Sequence, residues 1–216
     1  MKRLYIIVEG QSEQEFVNTM VAPYMIKFGI TAVVPILIRT SKSGRGGFVN
    51  YEHLKNDVKK LLSSPKTDFI VTMFVDFFRC PELPNKEKYE AIENHEQKVV
   101  QMECQIAEDI NDSRFVPYIQ LHEFESLLYA SNKGFEYYFD EKQSAMTKQI
   151  IDSFDNPEMI NSSPTNAPSK RLLRIKNDYD KVIEGNLIAL EVGLDEILER
   201  CPRFNKWIEM LKERCE

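Results

Sequence analysis

Positive charge is the first thing this sequence lacks. Its 28 Lys and Arg stand against 34 Asp and Glu, for a formal net charge of -6. Non-specific affinity for nucleic acid comes mainly from Lys and Arg neutralising phosphates, so a broadly basic coat is excluded. A nucleic-acid enzyme is not excluded, because carboxylates gathered to hold divalent cations make the bare sequence acidic where the loaded site is positive. Zinc chemistry is also missing. The four cysteines, Cys80, Cys104, Cys201 and Cys215, form no C-x-x-C pair, and none has the closely spaced histidine that zinc ligation needs. They read as reduced thiols of a cytoplasmic protein without a signal peptide. Long apolar runs are absent as well. Residues 20–38 come nearest, but Pro23, Lys27, Gly29 and Pro35 interrupt them, and a spanning helix needs about 20 mostly apolar residues. No membrane partner is expected. The glycine-rich stretch Ser41–Gly47 lacks the Gly-Lys-Ser/Thr ending of a Walker A loop, which excludes phosphate cradling in that mode.

What remains is an ordinary folded chain, 43% hydrophobic and 29% charged over 216 residues, enough for one sizeable core. Its elements alternate. Leu4-Tyr5-Ile6-Ile7-Val8 is a buried strand that stops at Glu9-Gly10. Ser12 and Glu15 then suggest a capping box, and Phe16, Met20 and Tyr24 continue on one helical face. Residues 32–39 read as a second strand that Pro35 demotes towards an edge. Tyr51, Leu54, Val58, Leu61 and Leu62 mark a helix ended by Ser63-Ser64-Pro65, and Asp68–Asp76 is a strand buried on both faces. A long helix from Lys86 to Ile110 and a fourth strand from Phe115 to Leu121 follow, then a short helix at Leu127–Tyr129. The order β-α-β-α-β-α-β predicts a parallel sheet with right-handed crossovers. Beyond residue 130 the pattern is helical, with helices expected at 144–154, 168–184, 187–200 and 203–214. The division expected is an α/β domain over 1–130 and a helical extension over 131–216 packed on it.

Three of the four expected strands end in acids: Glu9, Asp76, and Glu123 with Glu125. Strands of a parallel sheet send their C-termini to one edge, where ligands bind, so these side chains can converge although they are far apart in sequence. Converging carboxylates repel unless a cation joins them, and oxygen donors without Cys or His favour Mg²⁺ or Mn²⁺. Glu13, one turn into the first helix, either serves the helix dipole or supports the acids from behind. His122 reads as a hydrogen-bonded core histidine, while His53 and His95 receive no role. Lys42 and Arg45 in the glycine-rich loop, and Lys170 and Arg171 with Arg174 further on, either contact phosphates or line solvated surfaces.

Val8-Glu9-Gly10-x-x-Glu13, the strand end Phe74-Val75-Asp76-Phe77-Phe78, His122-Glu123-Phe124-Glu125 and Pro168-Ser169-Lys170-Arg171 together resemble an uncharacterised bacterial family of Toprim-like proteins, over about residues 3–175. Toprim domains occur in topoisomerases, primases and overcoming-lysogenization-defect (OLD) nucleases. The resemblance implies a Rossmann-like parallel sheet of about four strands between helices, with a glutamate and an aspartate pair handling Mg²⁺ during phosphodiester chemistry. It implies Glu9 as general acid or base and Asp76 as a metal ligand. The usual Asp-x-Asp is here Asp76-Phe77-Phe78. Either Glu123 or Glu125 replaces the missing aspartate, or the site no longer turns over. Two functions follow: a Mg²⁺-dependent nuclease of bacterial defence or repair acting on nucleic acid, or a non-catalytic module partnering an ATPase.

Overall fold

In the computed structural model, which describes residues 2–39, 44, 46–78, 80–160, 163 and 165–216, a parallel sheet lies between two helical layers. Its strands are β1 (Arg3–Val8), β2 (Ala32–Leu37), β3 (Phe69–Asp76), β4 (Phe115–Val116) and β5 (Ile119–Gln120). The order is β2-β1-β3-β4, and β5 pairs with the far end of β3. All pairs are parallel. The most apolar strands, β1 and β3, take central places, and Pro35 sits on edge strand β2, where its missing N–H costs no ladder bond. The expected fourth strand is split in two because Pro117 interrupts it.

Alternation along β1 and β3 sorts the core. Leu4, Ile6, Val8, Ile70 and Phe74 face one layer, while Ile7, Val71, Met73 and Val75 face the other. The second layer holds α3 (Tyr51–Leu62) and α4 (His95–Ile110). The expected Lys86–Ile110 helix starts only at His95. Asn94 caps it by accepting the Gln97 N–H, and Lys86–Lys88 forms a separate 3-10 turn. The first layer starts with α1 (Gln11–Phe16), runs through a π-helical turn at Val17–Val21, and continues as α2 (Ala22–Lys27). The expected capping box at Ser12 is not made. Gly10 is the cap, in extended conformation and without a side-chain bond, and Ser12 is buried.

The C-terminal helices join that same layer. They are α5 (Lys133–Tyr138), α6 (Glu141–Ile151), α7 (Pro168–Ile175), α8 (Ile183–Val192), α9 (Leu194–Arg200) and α10 (Pro202–Cys215). The expected 168–184 helix ends at Ile175. The expected 187–200 helix breaks at Gly193, whose φ of 85° suits glycine. Helix α5 escaped the sequence reading. Its Gly134 lies where a Cβ would come within 2.5 Å of the Ile188 carbonyl oxygen, so α5 and α8 cross at backbone contact. Trp207 fastens α10 to the centre of the sheet. Its indole N–H donates to Thr72 Oγ1 at 2.9 Å, that hydroxyl donates to the Val116 carbonyl at 2.6 Å, and the ring stacks on Tyr118. The buried Glu158 carboxylate accepts the Arg203 and Phe204 N–H groups and so satisfies the start of α10.

Candidate functional site

The register of the central strands brings the acids together. Val8 lies beside Phe74 and Asp76 beside Gln120, so the tips of β1, β3 and β5 are neighbours. Glu9 continues β1, and its Oε2 accepts the Asp76 N–H at 3.3 Å. The C-terminal end of the glycine-rich loop closes over it, with the Gly47 N–H donating to the Glu9 carbonyl at 2.7 Å and the Phe48 N–H reaching its carboxylate. Gly10 must be small, because a Cβ there would meet Glu13 Oε2 at 2.9 Å. Glu13 thereby tucks under the strand tip, 2% exposed.

After β5 the chain turns sharply. His122 takes φ 70°, a left-handed conformation, and the following 3-10 helix Phe124–Ala130 is buried throughout. This turn separates the two glutamates that the sequence grouped. Glu123 points to α7, where its carboxylate accepts the Ser169 N–H at 2.9 Å and the Ser169 hydroxyl at 3.1 Å. The Pro168-Ser169-Lys170-Arg171 motif is thus the helix start that holds Glu123. Glu125 points inwards. It is fully buried, and neither carboxylate oxygen has a hydrogen-bond partner among the described residues. Asp76 is fixed between the two by the Phe124 N–H, which donates to its Oδ1 at 2.8 Å.

Among the described residues, the cation facing these acids is Lys181. Its ammonium lies 3.3 Å from Glu125 Oε2, 3.5 Å from Glu13 Oε1 and 3.7 Å from Asp76 Oδ2. The expected 168–184 helix ran through this residue and hid it. In the structure Lys181 belongs to an irregular segment between α7 and α8. Lys176 pins that segment by pairing with Asp178 and Glu184, and Asp180 caps α8 by accepting the Val182 and Ile183 N–H groups. The Asn177-Asp178-Tyr179-Asp180 run, rich in turn formers, was the signal available in the sequence.

Electrostatics follow from the burial. Loss of solvent raises the Glu125 pKa to about 7 against the pull of Lys181, and raises Asp76 well above its ordinary value. Glu9 is raised by burial and then by Glu13. Burial opposes charge on Lys181 too, yet Glu125, Asp76 and Glu13 together raise its pKa. Burial also pushes up the thiol of Cys80, with Glu9 and Asp76 adding to it, so this cysteine borders the cluster as an inert group. His122 is buried with Nδ1 unpartnered, contrary to the hydrogen-bonded core histidine expected. Burial and then neighbouring His95 lower its pKa to about 4, so it is neutral near pH 7.

The structure therefore gathers Glu9, Asp76 and Glu125, adds Glu13 and Lys181, and turns Glu123 towards α7. Lys170 and Arg171 lie on α7, and Arg171 spends its Nε–H on the Asn166 carbonyl and covers the Phe154 ring. Lys42 and Arg45 lie outside the described residues. The donor chemistry of the cluster, four carboxylates without His or Cys, suits Mg²⁺ or Mn²⁺. The spacing does not form a ready cage: among the described residues no three acidic, His or Cys side chains are disposed to hold a metal ion. Lys181 fills the point on which they converge.

A search among curated proteins returns no match. Among solved structures, the C-terminal region of the OLD protein of Xanthomonas campestris pv. campestris aligns over 100% of this chain and 95% of its own, with a TM-score of 0.44 and 14% sequence identity. A family model described as a domain of unknown function, DUF4276, matches residues 8–212. Because that match spans nearly the whole chain, strand tips, acid cluster and C-terminal helices included, the protein belongs to the DUF4276 family.

Proposed function

We propose that this chain is a Toprim-like, Mg²⁺- or Mn²⁺-dependent enzyme that cleaves nucleic-acid phosphodiester bonds, working in bacterial defence or repair. One observation carries the reading. Glu9, Glu13, Asp76 and Glu125 converge at the C-terminal edge of a parallel sheet, and the two buried oxygens of Glu125 accept no hydrogen bond among the described residues and meet only the Lys181 ammonium there. Lys181 is the one ammonium that Glu125 shares with Glu13 and Asp76, and a fold has little structural reason to bury so many carboxylates around one cation, since burying charge is costly.

Asp76 and Glu125, with Glu13 behind them, would hold the ion. The bound ion would polarise a phosphoryl oxygen and acidify an attacking water. Glu9 sits at the mouth of the cluster, and its raised pKa suits an acid that gives a proton to the leaving oxygen. Phe78 stands where a second aspartate is usual. Lys181 supplies positive charge beside Asp76 and Glu125, so it would leave the carboxylates to the ion and face the phosphate. Glu123 acts on α7 rather than on the ion. It anchors the start of the helix that carries Lys170 and Arg171.

Titration calorimetry with Mn²⁺, combined with nicking assays on DNA and RNA, tests this. Wild type should bind and cut, Asp76→Ala should lose the binding heat, and Glu9→Gln should keep much of the substrate affinity while losing turnover. The second reading, a non-catalytic module that partners an ATPase, is favoured by Lys181, whose ammonium already pairs with Glu125, Glu13 and Asp76. It wins if no Mn²⁺ heat depends on Asp76 and no cleavage depends on Glu9 with the ATPase supplied.

A further inference from the structure

Helix α8 carries apolar residues on its outer as well as its inner face, between Glu184 and Glu191. Its inner face, Ile188, Ala189 and Val192, is buried against the core, but its outer face is apolar too. Ile183, Leu187 and Leu190, spaced i, i+4 and i+7, are 62%, 36% and 47% exposed. A surface helix normally turns charge to solvent, and one that is hydrophobic all round is a helix buried on both sides. Acids flank the apolar stripe, with Asp178, Asp180, Glu191 and Asp195 at least partly exposed around it. The surface that covers α8 must therefore be apolar with a basic rim.

This chain carries such a surface elsewhere. Between α4 and α10, over edge strand β4, lies a groove of about 320 Å³ floored by Val116 and Trp207 and walled by Val100 and Met210. On the groove side, α10 presents Arg203, Lys206 and Arg214, while its Glu209 is paired with Lys212 outside the lining. Glu103, the acid in the lining, is bound to Arg203 at 2.7 Å. Pro117 at the floor offers no N–H, which opposes addition of a strand to this edge and leaves the groove to a helix. A chain of net charge -6 thus has, among its described residues, an apolar groove rimmed by Lys206 and Arg214 and an exposed apolar helix face whose rim, Lys181 apart, is acidic.

We infer that the outer face of α8 docks in the α4–α10 groove of a second copy of this chain. The contact is head-to-tail, so repetition gives either a closed ring or an open filament. Its helix side borders the acid cluster, since Ile183 is two residues from Lys181, but the contact does not depend on the reaction proposed for that cluster.

The test uses two variants, each closing one face at exposed positions. Leu187→Glu spoils the helix, and Val100→Glu with Lys206→Glu spoils the groove. In sedimentation velocity, wild type should grow in mass with concentration, and each variant alone should stay monomeric. An equimolar mixture of the two should give dimers and nothing larger, since each variant retains one intact face. Trp207, the single tryptophan of the chain, reports groove occupancy by a change in emission as wild type assembles. Unchanged thermal melting shows that the variants are folded, and Leu190→Lys replaces Leu187→Glu if that variant melts early. Wild type that remains monomeric at about 100 μM, beyond the micromolar range of weak interfaces, overturns the inference. Assembly that survives both variants, or a mixture that stays monomeric, overturns it equally.

Discussion

Replacing Glu125 with glutamine removes a costly ionisation from the cluster, and its effect on stability can be worked out in advance. Glu125 is fully exposed to solvent only when the chain unfolds, where it titrates near 4.5, whereas burial raises its folded pKa to about 7. Between those values the folded state keeps a proton that the unfolded chain has released. The sign follows from linkage: stability from this group is fully present below about pH 4.5 and is lost as pH rises through 7. At about 1.4 kcal/mol per pH unit, the loss by pH 8 amounts to about 3 kcal/mol. Glutamine has nearly the same shape and cannot ionise, so Glu125→Gln should match wild type near pH 4.5 and exceed it by up to about 3 kcal/mol at pH 8. Asp76 and Glu13 remain as partners for Lys181, which limits the compensating loss.

Urea unfolding in EDTA from pH 4.5 to 8.5, followed through buried Trp207, measures this directly. The stability difference between the two proteins should open progressively across that range. Two curves that run parallel, or a variant less stable than wild type at pH 8, would refute the reasoning. Either result would mean that Glu125 ionises without penalty, held by Lys181 alone.

Two further substitutions probe the frame around the site. Lys181→Met should destabilise the metal-free protein by about 1–2 kcal/mol at pH 8, since the ammonium is 40% exposed and partly screened, and by less at pH 5, where Glu125 is protonated. Equal losses at both pH values would count against the ion pairs. Gly134→Ala should cost about 2–3 kcal/mol at any pH in the same urea assay, because the new methyl meets the Ile188 backbone and the α5–α8 crossing must open.

The sheet was legible because its signals are local. Apolar runs that stop at an acid gave β1 and β3 with Glu9 and Asp76 at their tips, and Pro35 marked the edge. Errors arose where apolar spacing continued past a stop it does not record. Asn94 capping, the positive φ of Gly193 and the turn after Ile175 all broke helices that periodicity alone ran on.

Lys181 was missed for a related physical reason. Its significance comes from three partners 56, 105 and 168 residues away in sequence, and no local pattern encodes such a contact. The same holds for Glu123 and Glu125, which a sequence can pair but cannot separate. Two residues apart, they would share a face on a strand, yet the left-handed turn at His122 and the 3-10 helix that follows send them to different neighbours. Glu123 gains two donors from Ser169, while Glu125 gains none and meets only the lysine. The carboxylate that Ser169 satisfies builds the wall, and the other meets Lys181 in the acid cluster, so the backbone turn at His122 decides which of the two acids joins that cluster.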